Sequence, residues 1–160
     1  MRVLDTSAIL RSDLDFSDGE YCLPDSVLDE LESVGDEKTA LAVAISIKTR
    51  DIKVLNPSEN ALAAALEAAR ATGDVGSLSE TDLDVIALAL QTSGSIVSDD
   101  YAIQNVASHL SIKFEPTAQD GIRKKVKWVK RCSGCGKTYG AEYDGDCSVC
   151  GSRLRREAGT

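Results

Sequence analysis

Two Cys-x-x-Cys pairs near the C-terminus constrain this 160-residue chain more than any other feature. They are Cys132-Ser133-Gly134-Cys135 and Cys147-Ser148-Val149-Cys150, eleven residues apart, each followed directly by a glycine, Gly136 or Gly151. So short a segment cannot bury enough apolar surface to fold by itself. Four thiolates at this spacing suit one tetrahedral zinc ion, and glycine lets each knuckle turn with positive φ. A disulfide pair or a redox Cys-x-x-Cys competes poorly with two paired knuckles inside 19 residues. With Cys132, Cys135, Cys147 and Cys150 filling all four positions, the expected zinc is structural rather than catalytic.

Charge divides the chain at the same place. The formal net charge of −8 argues against a nucleic-acid partner until it is split. Residues 1–120 hold 8 Lys/Arg against 22 Asp/Glu, a net of −14, whereas residues 121–160 hold 10 against 4, a net of +6. Four thiolates on one dication bring the tail to about +4. A Pro/Gly-bearing stretch, Glu115-Pro116-Thr117-Ala118-Gln119-Asp120-Gly121, reads as the junction. The single histidine, His109, excludes chemistry that needs two. No apolar run approaches a membrane span, and Asp5 interrupts any signal-peptide core, so a cytoplasmic protein without membrane contact is expected.

In the acidic part, apolar runs alternate with helical patterns. Arg2-Val3-Leu4 reads as a strand with Asp5 at its end, and Pro24–Ser33 as a helix. Residues 37–50 form a second helix with Leu41, Ala44 and Ile45 on its apolar face. Ile52–Leu55 is a short strand, and Ser58 caps an Ala-rich helix over 59–71. Ser79 opens the next helix, Ser95–Ser98 is a strand ending at Asp99-Asp100, a helix follows, and Ile112–Phe114 closes the pattern as a strand. Alternation of this kind predicts an α/β domain with a central parallel sheet flanked by helices. Ligand crevices in such sheets lie beyond the carboxyl ends of the strands, where Asp5 and Asp99-Asp100 fall.

Two further acids sit on helices, Glu30 and Asp82, with Asp84 close by. Unpaired carboxylates gathered together repel one another, and a hard cation such as Mg2+ or Mn2+ relieves that conflict. Such an ion activates water and clamps a phosphoryl oxygen, the requirement for phosphodiester hydrolysis. Ser7 or Thr6, beside Asp5, is placed to hydrogen-bond a water on the ion. Each acid alone has a plainer reading as a cap, a first-turn acid or a solvated charge; the ordered set carries the functional reading.

The ordered set resembles the PIN-domain nucleases. Val3-Leu4-Asp5-Thr6-Ser7-Ala8 looks like that family's opening, Pro24-x-x-Val27-x-x-Glu30-Leu31 like its second acidic motif, and Leu78-Ser79-x-x-Asp82 like its third. Ile96-Val97-Ser98-Asp99-Asp100-Tyr101 looks like the fourth, with Ser98 where the family often has Thr. The resemblance implies catalytic roles for Asp5, Glu30, Asp82 and Asp100, with Ser7, Asp84 and Asp99 as additional candidates, and metal-dependent cutting of RNA.

Around the cysteines, Lys124, Lys125, Lys127, Lys130, Arg131 and Lys137 crowd the first knuckle, with Arg153, Arg155 and Arg156 after the second. Trp128, Tyr139 and Tyr143 are interleaved. Cations grip a phosphate backbone and aromatic faces stack on unpaired bases, so the lysine cluster is expected to bind RNA, while Trp128 is expected mainly to pack.

The acidic motifs plus a four-cysteine zinc ribbon in one short chain resemble the nin-one-binding (Nob) endonucleases of ribosome assembly, in their compact archaeal form. That resemblance implies a PIN-like domain over 1–114, a linker over 115–126 and a zinc ribbon over 127–156. It implies maturation of the 3′ end of small-subunit (16S) ribosomal RNA, with precursor RNA, the small subunit and other assembly factors as partners. The alternatives are a toxin-type PIN ribonuclease acting on other RNA and a non-catalytic RNA-binding assembly factor.

Overall fold

The computed structural model describes residues 1–11, 16, 19–34, 37–117 and 125–159. Five parallel strands form the main sheet: β1 (Arg2–Leu4), β2 (Tyr21–Leu23), β3 (Ile52–Val54), β4 (Ser95–Val97) and β5 (Phe114–Glu115), in the order β3-β2-β1-β4-β5. Six helices flank it: α1 (Thr6–Arg11), α2 (Asp25–Val34), α3 (Glu37–Lys48), α4 (Glu59–Thr72), α5 (Glu80–Thr92) and α6 (Tyr101–His109). β1 lies at the centre, beside β4 through Val3↔Ile96 and Leu4↔Val97. The order reverses at β1, so the ends of β1 and β4 open onto the switch point where open α/β sheets place ligands.

Local signals in the sequence account for most boundaries. The Ser58 hydroxyl accepts Ala61 N–H at the start of α4, and Gly73, at φ 80°, ends that helix. Ser79 and Asp82 form a reciprocal capping box on α5. The core between sheet and helices is filled by Leu4, Leu23, Ile86, Leu88, Ile96, Ile103 and Val106, all fully buried. α5 packs across β1 and β4 and against α4 and α6, which fixes the starts of α5 and α6 relative to the strand ends.

Three details differ from the sequence reading. β2 escapes it, because Tyr-Cys-Leu is only three residues long and has no period. The expected apolar face of α3 is largely solvent-facing: Val43 is buried, but Leu41 is 61% and Ile45 54% exposed. This helix packs at the sheet's edge on β3, which gives it less surface to cover. The last strand runs Phe114–Glu115 rather than 112–114, with Val97↔Glu115 in register.

The C-terminal unit is a three-stranded antiparallel sheet ordered β7-β6-β8, built from β6 (Trp128–Cys132), β7 (Thr138–Gly140) and β8 (Leu154–Ala158). It is docked on the first unit rather than merely tethered. Asn105 on α6 holds Val126 by both backbone groups, donating to its carbonyl and accepting its N–H, each at 2.7 Å. Asp74, with its side chain 2% exposed, accepts from Asn105 at 2.6 Å and pairs with Arg156 of β8 at 2.9 Å. Gly73 fits beneath β6, where a Cβ would meet the Trp128 carbonyl and Ala141 Cβ, each at 2.7 Å. Among the described residues, no helix is long and apolar enough to cross a membrane.

Candidate active site and cysteine centre

Asp5 follows β1 and is 4% exposed. Its backbone N–H donates to the Val97 carbonyl of β4, and its carbonyl accepts from Ala8 and Ile9 at the start of α1. The carboxylate faces two hydroxyls: Ser7 Oγ donates to Oδ2 at 2.5 Å, and Ser98 Oγ to the same oxygen at 2.8 Å. Burial pushes its pKa above the ordinary 3.8, against the pull of Ser7 and Ser98, and the Asp100 charge pushes it further up.

Asp100 caps α6. Its Oδ1 accepts the N–H groups of Ala102 at 2.6 Å and Ile103 at 3.2 Å. Its own N–H donates to Ser98 Oγ at 3.0 Å. Ser98 is fully buried, and Gln104 fixes its carbonyl through Nε2 at 2.9 Å. One buried hydroxyl therefore connects the two strand-end acids.

Asp82 comes from the first turn of α5, where Oδ2 accepts Ser79 N–H at 2.7 Å. Burial raises its pKa; the Ser79 hydrogen bonds oppose this, and the charges of Asp5 and Asp100 add to it. Asp5, Asp82 and Asp100 are thus within electrostatic range of one another. Glu30 reaches the same end of the sheet from α2, its Oε2 accepting from Thr6 Oγ1 at 2.7 Å.

The three additional candidates differ in their surroundings. Ser7 contacts Asp5 directly. Asp84 accepts Ser26 Oγ at 2.6 Å, which ties α5 to α2. Asp99 is 5% exposed and is engaged by Thr117, through its N–H at 2.8 Å and its hydroxyl at 2.5 Å. That contact holds the chain to the sheet just past β5. The acid set offers oxygen donors only, the chemistry of a hard divalent cation, and burial, with the charge of Asp100 adding to it, raises the pKa of both Asp5 and Asp82. Among the described residues, however, only the four cysteines come together as closely as a metal site requires.

The cysteines form a tighter group. The four Sγ atoms lie within 4.8 Å of one another. Cys132–Cys150 and Cys135–Cys147 are separated by 3.4 and 3.5 Å, far beyond a disulfide and near the roughly 3.8 Å edge of a tetrahedron with bonds of about 2.3 Å. Backbone N–H groups of Gly134 and Cys135 point at Cys132 Sγ, and that of Val149 at Cys147 Sγ. Gly136 and Gly151 turn the knuckles at φ 74° and 70°. Tyr139 supports the second knuckle, its hydroxyl 3.0 Å from Cys147 Sγ and accepting Ser148 N–H. That hydroxyl contact pulls the Cys147 thiol down from its ordinary 9 to about 5.

Among the basic residues, Lys125, Lys127, Arg131 and Lys137 are exposed. Lys130 donates to the Tyr143 carbonyl and pairs with Asp144 at 3.5 Å, and Arg131 pairs with Glu157 across the β6–β8 ladder. Lys137 lies over the Tyr139 ring at 5.3 Å. Lys124 falls outside the described residues. Trp128 packs at the junction of the two units with Arg156 over its ring at 4.3 Å. The sequence reading missed the Asp74–Asn105–Arg156 connection. Its only trace there was two polar residues, Gln104 and Asn105, inside an otherwise apolar stretch of α6.

Residues 2–92 match the family described as the PIN domain of ribonuclease. The chain is 39% identical over 154 residues to ribonuclease VapC1 of Thermoplasma acidophilum, covering 96% of this chain and 76% of that one. It is 38% identical over 154 residues to endoribonuclease Nob1 of Pyrococcus abyssi, covering 96% and 91%. It is 38% identical over 157 residues to endoribonuclease Nob1 of Archaeoglobus fulgidus, covering 95% and 87%. With a five-stranded parallel sheet, acids at its switch point and a four-cysteine ribbon behind it, the chain belongs to the PIN-domain ribonucleases, among the archaeal Nob1 endoribonucleases.

Proposed function

We propose that this protein is a metal-dependent endoribonuclease that matures the 3′ end of small-subunit ribosomal RNA in the cytoplasm. The observation that carries the proposal is the pairing of Asp5 with the Ser98–Asp100 corner, with Asp82 in electrostatic range and Glu30 joined through Thr6. Asp5, Glu30, Asp82 and Asp100 would hold Mg2+ or Mn2+. A cation held there lowers the pKa of a water molecule and neutralises charge on the phosphate. The protein's own part is positioning. Ser7 and Ser98 aim the Asp5 carboxylate, and Asp100, whose Oδ1 caps α6, would share in holding the ion. Ser7 also lies where it can orient the attacking water. Asp99 and Asp84 act in this reading as supports, through Thr117 and Ser26.

The ribbon is the gripping part. Cys132, Cys135, Cys147 and Cys150 would hold Zn2+ as a structural ion. Lys124, Lys125, Lys127, Lys130, Arg131 and Lys137 would contact the phosphate backbone, with Lys130 and Arg131 exchanging their internal partners for it. The division into a nuclease unit over 1–114, a connection over 115–126 and a ribbon over 127–156 belongs to this reading, with β5 running to Glu115 and β8 to Ala158, past the first and last of those boundaries. Precursor ribosomal RNA within the assembling small subunit is the substrate, in company with other assembly factors.

The relative named VapC1 aligns across the ribbon as well, so a toxin-type ribonuclease acting on other RNA is the second reading. Incubation with a precursor 16S 3′-end fragment and with unrelated single-stranded RNA, in Mn2+, separates them: one discrete cut in the precursor supports the first, and equal cutting of both supports the second.

A further inference from the structure

A cavity of about 370 Å3 lies between α6 and the ribbon, lined by Tyr101, Ala102, Asn105, Trp128, Arg156 and Ser77 among others. We propose that it receives an unpaired nucleobase of the RNA strand, flanking the phosphate held at the acidic edge. The inference rests on the reading of that edge as the place where RNA is cut.

Location is the first argument. Tyr101 directly follows Asp100, and Ala102 donates its N–H to the Asp100 carboxylate at 2.6 Å. Two residues of chain place the Ala102 and Asp100 Cα atoms within about 7 Å of each other. The cavity that Tyr101 and Ala102 line therefore lies within one nucleotide's reach, roughly 7 Å along the backbone, of a strand held at Asp100.

Chemistry is the second. The aromatic faces are Tyr101, 51% exposed, and Trp128 with the Arg156 guanidinium 4.3 Å above its ring. Unpaired bases stack on aromatic rings and on arginine planes. The charges in the wall compensate one another, because Asp74 is paired with Arg156 and hydrogen-bonded to Asn105. A neutral flat ring suits such a wall better than a phosphate does. Ser77 Oγ accepts from Arg156 at 2.8 Å, which leaves its own proton to donate to a base edge.

Preorganisation is the third. The wall is fixed by the Asn105–Val126 pair and by Gly73 beneath Trp128, so little ordering is required when a base enters.

Trp128 is the only tryptophan, so its emission reports on this cavity in the intact, zinc-loaded chain. The probe is a single-stranded oligoadenylate of about twelve nucleotides, within the usual span of single-strand sites, added without Mg2+ or Mn2+. Saturable quenching of Trp128 is expected. Tyr101→Ala weakens binding about 5- to 150-fold, the range for losing one stacked base, while Tyr101→Phe binds as wild type does. The Tyr101→Ala defect persists at high salt, where phosphate contacts fade. An abasic strand of equal length leaves Trp128 unquenched in the wild type, a control that needs no variant to fold. Equal quenching by the abasic strand, or wild-type affinity in a folded Tyr101→Ala protein, overturns the proposal. Cleavage in Mn2+ is read separately. A protein that cuts RNA without any Trp128 response loses this pocket and keeps its nuclease reading. One that shows the Tyr101-dependent response without cutting keeps the pocket and loses the nuclease reading.

Discussion

The Ser98 hydroxyl donates to Asp5 Oδ2 at 2.8 Å, joining the ends of two neighbouring strands whose residues lie 93 positions apart. Ser98 Oγ in turn accepts the Asp100 N–H. Ser98→Ala removes both contacts from a fully buried position and leaves the Asp100 N–H without its acceptor. Loss of about 1–3 kcal/mol in stability is expected, measured by urea unfolding. Cleavage falls about 10- to 100-fold, the usual effect of removing a group that orients a metal ligand. The acid limb of the pH–rate profile moves to higher pH, because Asp5 loses one of the hydrogen bonds that favour its ionised form. Ser98→Thr keeps the hydroxyl and the profile.

Asp5 and Asp82 are both raised in pKa, chiefly by burial. The folded, metal-free protein therefore binds protons at these sites more readily than the unfolded chain does. Between the unfolded value of 3.8 and the raised folded value, stability falls as pH rises. Asp5→Asn removes that penalty, so the metal-free variant melts higher than the wild type at pH 7. Mn2+ reverses the order: the wild type gains melting temperature with added ion, and Asp5→Asn gains little. Thermal scans with and without Mn2+ check both halves.

Removing the cysteine ion tests the other centre. One zinc per chain is expected, released and counted with a colorimetric chelator after thiol modification. Cys147→Ser breaks the second knuckle and frees Tyr139, which now supports that sulfur. The β6-β7-β8 sheet is then lost and Trp128 emission shifts to the red, while far-UV helical signal, which comes from α1 to α6, is largely retained.

The docking of the two units has its own signature. Arg156→Ala leaves the Asp74 carboxylate buried with Asn105 as its remaining partner. A loss of about 1–3 kcal/mol is expected. Gly73→Ala is worse placed, since it meets the Trp128 carbonyl at 2.7 Å and sits at φ 80°. Both variants increase hydrogen exchange in β6 and β8 while leaving β1 and β4 protected.

The sequence makes the parallel sheet legible because its strand ends carry acids and its helices carry caps: Ser58, Ser79 and Asp100 each mark a start that the structure reproduces. The cysteine knuckles are legible because metal geometry fixes spacing and the following glycine. β2 is not, because three residues hold no periodicity. The exposure of Leu41 and Ile45 is not, because a helical period tells where residues share a face and not what lies opposite that face. Ser98 was visible as a member of a motif, but its bond to Asp5 depends on the β1–β4 register. Asp74 and Arg156, 82 positions apart, carry no local signal at all.

The most direct measurement is cleavage of a precursor small-subunit RNA fragment spanning the mature 3′ end, in Mn2+, by wild type and Asp5→Asn at equal concentration. A discrete cut at the mature end by the wild type, reduced at least about 100-fold in a folded, zinc-loaded Asp5→Asn protein, is the predicted result. Equal cutting by the two proteins contradicts the assignment of the acidic edge as the place where RNA is hydrolysed.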